Sequence, residues 1–269
     1  MRCSVVVATR DRQRELDRSV PRHLRLPERP PVIVVDNASA PPISFPGIEV
    51  IRCSRNLGGA GRNIGVRAAD TPYVALTDDD AWWEPGALER AVAWLDRNPR
   101  VALLQPRVLV GAEERLDPTC AEIERAPVLL GFVACAVVVR RDAFLEAGGF
   151  QERLAVGGEE ELLAWDLAAA GWELAYVPSI VAHHHPPRSS HNRPGRREVT
   201  LRNALWTPWL RRPVSVAARS CLEVLAAAPR DAVTLRGVAR AVAGVPWVVR
   251  ERRPGPARVE AMRRLLERG

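Results

Sequence analysis

The sequence predicts an α/β fold in which helices cover both faces of a mostly parallel sheet, followed by a basic helical extension. Short β-rich runs alternate with helical patterns along residues 1–187, as is typical of helix-covered parallel sheets. Hydrophobic residues make up 47% of the 269-residue chain and charged residues 26%, so a sizeable core can form. We therefore expect one α/β domain over residues 1–187 and a basic loop with helices over residues 188–269.

Seven β-rich runs and five helical patterns define the expected elements. The predicted strands are Val5 to Ala8, Val32 to Asp36, Glu49 to Cys53, Tyr73 to Thr77, Val101 to Leu104, Ala134 to Val139 and Leu174 to Val181. The predicted helices are Arg12 to Leu24, Gly61 to Ala69, Gly86 to Asn98, Arg141 to Ala147 and Glu159 to Ala170. The segment from Gly111 to Leu130 fits neither pattern, and we expect a long excursion near the functional site.

The charged residues exclude several enzyme classes. All 39 basic residues are arginine, which rules out a P-loop lysine, a pyridoxal Schiff base and a lysine nucleophile. Residues 1–187 hold 21 arginines and 26 acidic residues, a net charge of −5. Residues 188–269 hold 18 arginines and 6 acidic residues, a net charge of +12. This basic part suits phosphates of a lipid headgroup, a nucleic acid or a diphosphate substrate. It has few stacking aromatic residues, so we expect no nucleic-acid partner.

The cysteines favour a reducing compartment. Five cysteines are odd in number, widely spaced and mostly set in apolar runs, which suits buried thiols better than disulfides or a zinc site. Met1 is followed almost at once by the first strand, without the pattern of a secretory leader. We expect a cytoplasmic protein, either free or at the inner face of the membrane.

Three consecutive aspartates, Asp78, Asp79 and Asp80, close the strand that begins at Tyr73. Crowded carboxylates repel one another, and a divalent cation relieves that repulsion. The carboxyl edge of an open α/β sheet is also where ligands bind. The pattern predicts a metal site, with a solvated aspartate-rich turn as the alternative.

Two further motifs suit a nucleotide. Asp36 and Asn37 stand at the tip of the second strand, where they could bind a ribose or a base edge or form an Asx-turn. The glycine-rich stretch from Asn56 to Gly65 opens a helix whose amides, with Arg62 as a fixed charge, could face a diphosphate. Its glycine spacing is not that of the dinucleotide fingerprint.

An acidic helix start and a histidine run complete the set. Glu159, Glu160 and Glu161 follow two glycines, so one carboxylate could act as a general base, although acids also stabilise a helix N-terminus. Three histidines, residues 183–185, end another strand. Imidazole beside carboxylates is typical of a divalent-metal site.

Together these stretches resemble glycosyltransferase family 2, the inverting nucleotide-sugar transferases of GT-A fold. The resemblance covers residues 3–187, with five motifs in the family's order. The motifs are Ser4 to Asp11, Val35 to Ser39, Asn56 to Gly65, Leu76 to Asp80, which is similar to the Asp-x-Asp motif, and Gly158 to Glu160, which is similar to the acidic catalytic motif.

The resemblance implies a role for each motif. Mg²⁺ or Mn²⁺ would bind to Asp80 and Asp78, with His183 or His185 completing the site. Glu160 is implied as the base, with Glu159 and Glu161 as alternatives, because glutamate replaces the commoner aspartate and Leu162 stands where a second aspartate is frequent. The nucleotide or its sugar would contact Thr9, Arg10, Asp36, Asn37, Arg62, Asp78 and Asp79.

The resemblance therefore implies metal-dependent inverting transfer of a sugar from a nucleoside-diphosphate sugar to an acceptor hydroxyl. The acceptor would be a glycan, a lipid-linked compound or a small molecule, in the synthesis of a cell-surface glycan or a glycosylated metabolite. A nucleotidyltransferase is one alternative, although such enzymes frequently use a lysine. A glycan- or nucleotide-binding subunit without turnover is another.

The C-terminal part is open to two interpretations. The segment from Pro186 to Arg197 reads as a phosphate-clamping loop or as a solvated linker. Beyond it, residues 233–253 mix valine and tryptophan with arginine, which fits a basic amphipathic helix on an anionic membrane surface. The same helices could instead pack against the catalytic domain or form a homodimer.

Overall fold

A mixed sheet of nine strands forms the centre of the molecule. The computed structural model describes residues 1–187 and 195–267. The strands are β1 (Cys3–Thr9), β2 (Val32–Asp36), β3 (Glu49–Arg52), β4 (Tyr73–Asp78), β5 (Ala81–Trp83), β6 (Val101–Val110), β7 (Arg115–Leu116), β8 (Ala136–Arg140) and β9 (Glu173–His184). Their order is β3-β2-β1-β4-β8-β6-β9-β5, with β7 paired to the outer part of β6.

The four strands at one side of the sheet are parallel, as predicted. Thr9 pairs with Asp36 and Ala8 pairs with Asp78, so the carboxyl ends of β1, β2 and β4 meet at one edge. β8 runs antiparallel to both of its neighbours, β4 and β6. The chain leaves β6 at the site edge and returns to β8 from that same edge, which forces the antiparallel direction.

Helices cover both faces of the sheet. They are α1 (Gln13–Leu24), a 3₁₀ turn (Gly58–Ala60), α2 (Gly61–Ala68), α3 (Ala87–Arg97), α4 (Pro118–Arg125), α5 (Arg141–Glu146) and α6 (Glu159–Ala169). One buried cluster includes Leu16 and Leu88 from α1 and α3. A second cluster, which includes Val66 and Leu163, joins α2, α5 and α6 to the sheet. The predicted α/β architecture is confirmed.

Some elements differ from the predicted ones. β6 continues to Val110, because β9 pairs with it along its length. The register between the two strands shifts at Pro106, which is how the pairing accommodates a proline. The expected excursion contains β7 and α4. β5 is only three residues long and pairs with the end of β9, a long-range contact that local patterns do not indicate.

Five helices follow the sheet. They are α7 (Arg196–Arg211), α8 (Val214–Ala227), α9 (Ala232–Ala243), α10 (Val245–Glu251) and α11 (Ala257–Leu266). α7 and α10 share a buried cluster with Leu154 and Leu162 of the sheet-bearing part. α11 packs through Val259 against Trp165 of α6. The predicted domain boundary at residue 187 stays a prediction, and residues 188–194 of the predicted loop lie outside the described residues.

Gly65 tests how closely α2 approaches the sheet. A Cβ atom at Gly65 would lie 2.3 Å from a methyl carbon of Val6 in β1. Alanine normally stabilises a helix relative to glycine, but here the clash should dominate. We expect Gly65→Ala to lower the free energy of unfolding by about 1–3 kcal/mol, measured by urea denaturation.

Gly131 provides the control, because a Cβ atom there would have no neighbour within 4 Å. Gly131→Ala should leave the unfolding midpoint nearly unchanged. Equal stability of the Gly65→Ala and wild-type proteins would contradict the close helix–sheet contact.

Candidate active site

The three aspartates at the end of β4 have different partners. Asp78 forms an ion pair with Arg62 of α2. Asp79 is buried and accepts a hydrogen bond from the Thr9 hydroxyl at 2.7 Å. Asp80 is also buried, and its Oδ1 atom lies 3.3 Å from His184 Nε2. The turn between β4 and β5 therefore spreads the carboxylates over separate cationic or polar partners.

Arg12 forms ion pairs with two of these aspartates. It precedes α1 by one residue, and its guanidinium lies 2.7 Å from Asp79 and 2.5 Å from Asp80. Sequence reasoning named Arg10 in this loop as a nucleotide contact. Arg10 is exposed and pairs with Asp11, and its nucleotide contact stays a prediction. Four polar residues follow one another in this loop, and the sequence offers no local signal for which one turns inward.

His184 is the histidine that the structure brings to Asp80. Side chains alternate between the faces of a strand, and β9 pairs His184 with Ala81 and His183 with Trp82. His183 stacks on the Trp82 ring at 5.8 Å, and His185 lies at 4.6 Å from the same ring. Sequence reasoning proposed His183 and His185, whose rings lie beside Trp82 and whose metal role stays a prediction. The register of β9 against β5 would have selected His184.

Asp78, Asp80 and His184 could hold a divalent cation. One ligand atom from each lies within 4.8 Å of the others. The His184 Nδ1 atom is buried without a hydrogen-bond partner among the described residues. Carboxylate oxygen and imidazole nitrogen are ligands suited to Mn²⁺, and carboxylates also suit Mg²⁺. The residues present therefore fit the metal that the resemblance implies.

The carboxylates of this turn differ in their affinity for protons. Burial raises the pKa of Asp79 to about 7, against the opposing charge of Arg12. Burial would also raise the pKa of Asp80, but the contact with His184 and the charge of Arg12 lower it to about 2. Asp80 is thus the permanently charged member of the pair.

Asp36 and Asn37 organise the neighbouring loops. Asp36 is fully buried, pairs with Arg52 at 2.7 Å and accepts a hydrogen bond from the Ser39 amide at 2.8 Å. Asn37 donates to the Gly58 carbonyl at 2.9 Å and so braces the glycine-rich turn. Both side chains therefore hold loop backbone in place, as the turn alternative expected. The proposed nucleotide contacts of both residues stay predictions.

Arg62 connects the aspartates to the acidic helix start. It lies in the first turn of α2, donates to Asp78, and its pKa is raised, against the effect of burial, by the charges of Asp78, Glu160 and Glu159. A guanidinium among three acids is a fixed positive charge. The structure therefore places the Arg62 guanidinium between the candidate bases and the metal-type cluster, which is the set of candidate metal ligands Asp78, Asp80 and His184.

The three glutamates at the start of α6 point to different surroundings. Glu159 is buried beside the glycine-rich turn. Glu161 pairs with Arg263 of α11 at 3.1 Å. Glu160 has no ion-pair partner among the described residues, and burial followed by the charge of Glu159 raises its pKa to about 8.

A cavity of about 720 Å³ opens beside Glu160 and Glu161. Its wall contains apolar residues such as Leu129 of the excursion and Phe132 just beyond it, and charged residues such as Arg125. α11 contributes Arg263 and Leu266. Small-molecule sites are typically apolar cavities with a few polar groups. The expected excursion does lie at the site, whereas the contribution of α11 was not predicted.

α7 fixes the loop that leads into α6. The Asn203 side-chain nitrogen lies 2.7 Å from the carbonyl oxygen of Leu154, 3.0 Å from that of Val156 and 2.7 Å from that of Gly157. Gly157 and Gly158 both have positive φ, +83° and +91°, a region that side chains disfavour. One buried amide therefore holds the glycine turn that leads to the candidate bases.

Comparison with known proteins points to one family of transferases. Residues 4–132 match the model described as glycosyl transferase family 2. This part of the chain is thus similar to glycosyltransferase family 2. Two proteins of Mycobacterium tuberculosis, from strains CDC 1551 and H37Rv, are named pre-mycofactocin glycosyltransferase and are 36% identical over 177 residues. That match covers 57% of this chain and 37% of each relative, so the chain spans little more than a third of their length.

A more distant relative and two solved structures extend the comparison. The N-acetylglucosaminyl-diphospho-decaprenol L-rhamnosyltransferase of M. tuberculosis is 28% identical, over 61% of this chain and 69% of the relative. The mannosyltransferase PcManGT of Pyrobaculum calidifontis, solved with GDP-Man and Mn²⁺, has a TM-score of 0.59 at 18% identity, over 99% and 85% of the two chains. GalNAc-T7, solved with UDP, GalNAc and Mn²⁺, has a TM-score of 0.63 at 16% identity. That match covers 93% of this chain and 56% of the GalNAc-T7 chain. These likenesses show the GT-A fold.

The hold of Asn203 on the loop can be tested directly. Asn203→Ala removes the donor shared by three carbonyl groups, one buried and two partly buried, which costs free energy when they lose their partner. We expect faster amide hydrogen exchange in residues 154–158 than in the wild-type protein, measured by mass spectrometry.

Asn98→Ala is the matched control, because Asn98 donates to the Trp94 carbonyl at the end of α3. It should leave exchange in residues 154–158 unchanged. Identical exchange in that loop for Asn203→Ala and wild type would show that α7 does not restrain it.

Proposed function

We propose that this protein is a metal-dependent, inverting glycosyltransferase that moves a sugar from a nucleoside-diphosphate sugar to an acceptor hydroxyl. The observation that carries the proposal is the placement of Glu160 at a cavity, with Arg62 between it and Asp78 of the metal-type cluster. A base on one side and positive charge on the other is what displacement at a sugar carbon requires.

The donor diphosphate belongs at the aspartate edge. Two structural neighbours were solved with Mn²⁺ and with UDP or GDP-Man. Asp78, Asp80 and His184 would hold the cation, which when bound offsets the negative charge of the diphosphate. Arg62 would supply a second positive charge. Thr9, Arg10, Asp36, Asn37 and Asp79 complete the proposed donor pocket.

The acceptor belongs in the cavity beside Glu160. Its hydroxyl oxygen would form the new bond to the sugar C1 atom while the bond from C1 to the diphosphate oxygen breaks and its electron pair leaves with the diphosphate. The hydroxyl proton would pass to the Glu160 carboxylate. Attack opposite to the leaving group inverts the anomeric centre, and no covalent enzyme intermediate forms.

Glu160 suits the role of base better than its neighbours. The Glu161 carboxylate is neutralised by Arg263, and Glu159 is buried against the glycine-rich turn. A pKa of about 8 matches a general base that must accept a proton near neutral pH.

The proposal also includes the class of acceptor and the cellular location of the protein. One relative is named for pre-mycofactocin and another for a diphospho-decaprenol, so small-molecule, glycan and lipid-linked acceptors are all proposed classes. The five cysteines are free, and burial raises the thiol pKa of Cys3 to about 12 and of Cys120 to about 11. Unreactive free thiols support a reducing, cytoplasmic location.

Asp80→Asn tests the metal role. The substitution keeps the side-chain shape but removes the negative charge, so affinity for UDP, dTDP or GDP in the presence of Mn²⁺ should fall by about tenfold or more. Isothermal titration with each nucleotide, with and without Mn²⁺, measures this effect.

Asp70→Asn is the matched control, because Asp70 is exposed and precedes β4 at the opposite end of that strand. It should bind as the wild type does. Equal Mn²⁺-dependent binding by Asp80→Asn and wild type would refute the metal role of Asp80.

Glu160→Gln tests the base. Release of nucleoside diphosphate from a panel of UDP-, dTDP- and GDP-sugars in water should fall by about a hundredfold or more, because glutamine accepts no proton. In the wild type, the rate should rise about tenfold per pH unit and level off above about pH 8, since Glu160 is protonated at lower pH.

Glu161→Gln is the companion variant and should keep most of the activity with the same pH profile. Loss of turnover in Glu161→Gln, with activity retained in Glu160→Gln, would assign the base to the other residue. Release of pyrophosphate from nucleoside triphosphates would instead indicate a nucleotidyltransferase.

A further inference from the structure

The exposed apolar side chains of this protein are concentrated in three C-terminal helices. Ten large hydrophobic residues are exposed among the described residues, and seven of them lie in α8, α9 and α10. They are Val214, Leu222, Leu225, Leu235, Val242, Val245 and Val249. Scattered apolar residues are ordinary on a protein surface, but a concentration of this kind marks an interaction surface.

Four of these residues form a stripe along α9 and α10. Leu235 and Val242 are separated by two helical turns on α9, and Val245 and Val249 by one turn on α10, so each pair lies on one side of its helix. Leu235 is 71% exposed and Val249 is 67% exposed. Gly244 between the helices keeps right-handed helical angles, φ −87° and ψ −5°. The exposed residues of α9 are therefore followed directly by those of α10, across a bend of 51° between the two helices.

The stripe cannot turn inward, because the inner side of both helices is already filled. Gly237 and Ala241 of α9 are buried towards α7. The Trp206 indole donates to the Ala241 carbonyl at 2.9 Å, and its ring packs at 5.1 Å from the Trp247 ring. A Cβ atom at Gly244 would lie 2.1 Å from Trp206. The aromatic anchors hold the two helices in a fixed orientation.

Arginines border the stripe. Residues 230–253 contain six arginines and two acids, a net charge of +4. Arg236 and Arg240 lie one turn apart beside the stripe and share Glu198 of α7, yet about 60% of each side chain is exposed. Arg250, next to Val249, is 70% exposed. An apolar strip edged by arginine suits the boundary between acyl chains and anionic headgroups.

The stripe does not suit a membrane-spanning helix. Among the described residues, every single helix falls short of the length and apolarity needed to cross a bilayer, and α9 with α10 reaches them only as a pair bent by 51°. Such a pair, with one side packed on α7, has only its outer side free for contact.

We propose that the outer side of α9 and α10 is a docking surface for an anionic lipid membrane. Leu235, Val242, Val245 and Val249 enter the headgroup region, and Arg236, Arg240 and Arg250 contact lipid phosphates. The protein binds reversibly at the surface and is not anchored across the bilayer. This proposal is independent of the sugar-transfer chemistry.

Sedimentation of the full-length protein with vesicles tests the proposal. The wild type should bind equimolar phosphatidylcholine–phosphatidylglycerol vesicles and bind pure phosphatidylcholine vesicles weakly. Leu235→Glu with Val249→Glu should reduce the partition coefficient by about tenfold or more. Arg250→Gln should reduce it about fivefold.

Leu24→Glu is the matched control, because Leu24 is 48% exposed on α1. It should bind as the wild type does, and thermal unfolding should show that all variants remain folded. Undiminished binding by the double variant, or absence of wild-type binding to anionic vesicles, would overturn the proposal. So would a homodimer in light scattering that the same double substitution dissociates, because the stripe would then be a subunit interface.

Discussion

The compensation of clustered negative charge at one edge of the sheet is the constraint on which the site depends. Asp78 ends a buried strand and Asp79 and Asp80 follow it, and such carboxylates repel strongly where water is scarce. This negative charge is offset by Arg12, Arg62 and His184, which come from three different parts of the fold. The positions of α1, α2 and β9 are therefore linked electrostatically to the turn after β4.

This arrangement separates two chemical environments across a short distance. On the aspartate side, charges are fixed and mostly paired, which suits a diphosphate and its cation. On the Glu160 side, a cavity with apolar and charged residues adjoins the carboxylate, whose pKa is raised by burial and by the charge of Glu159. Arg62 stands between the two. A donor and an acceptor of different polarity can each find a matching surface there.

The sequence predicted the sheet, its helices and the site edge because these depend on local periodicity and on strand ends. It identified the aspartate turn and the acidic helix start for the same reason. It could not select His184, because the choice among three consecutive histidines depends on the register between β9 and β5. Arg12 and α11 were also missed, since their approach to the site is set by long-range packing.

The grip of Asn203 on the loop before α6 has a consequence for protein engineering. A chimaera that borrows only the sheet-bearing half of this protein would leave the carbonyl groups of Leu154, Val156 and Gly157 without their amide donor. A chimaera that uses the catalytic part of this protein should therefore include α7 together with the loop before α6. The junction would then lie after Asn203, and the loop would keep its amide donor.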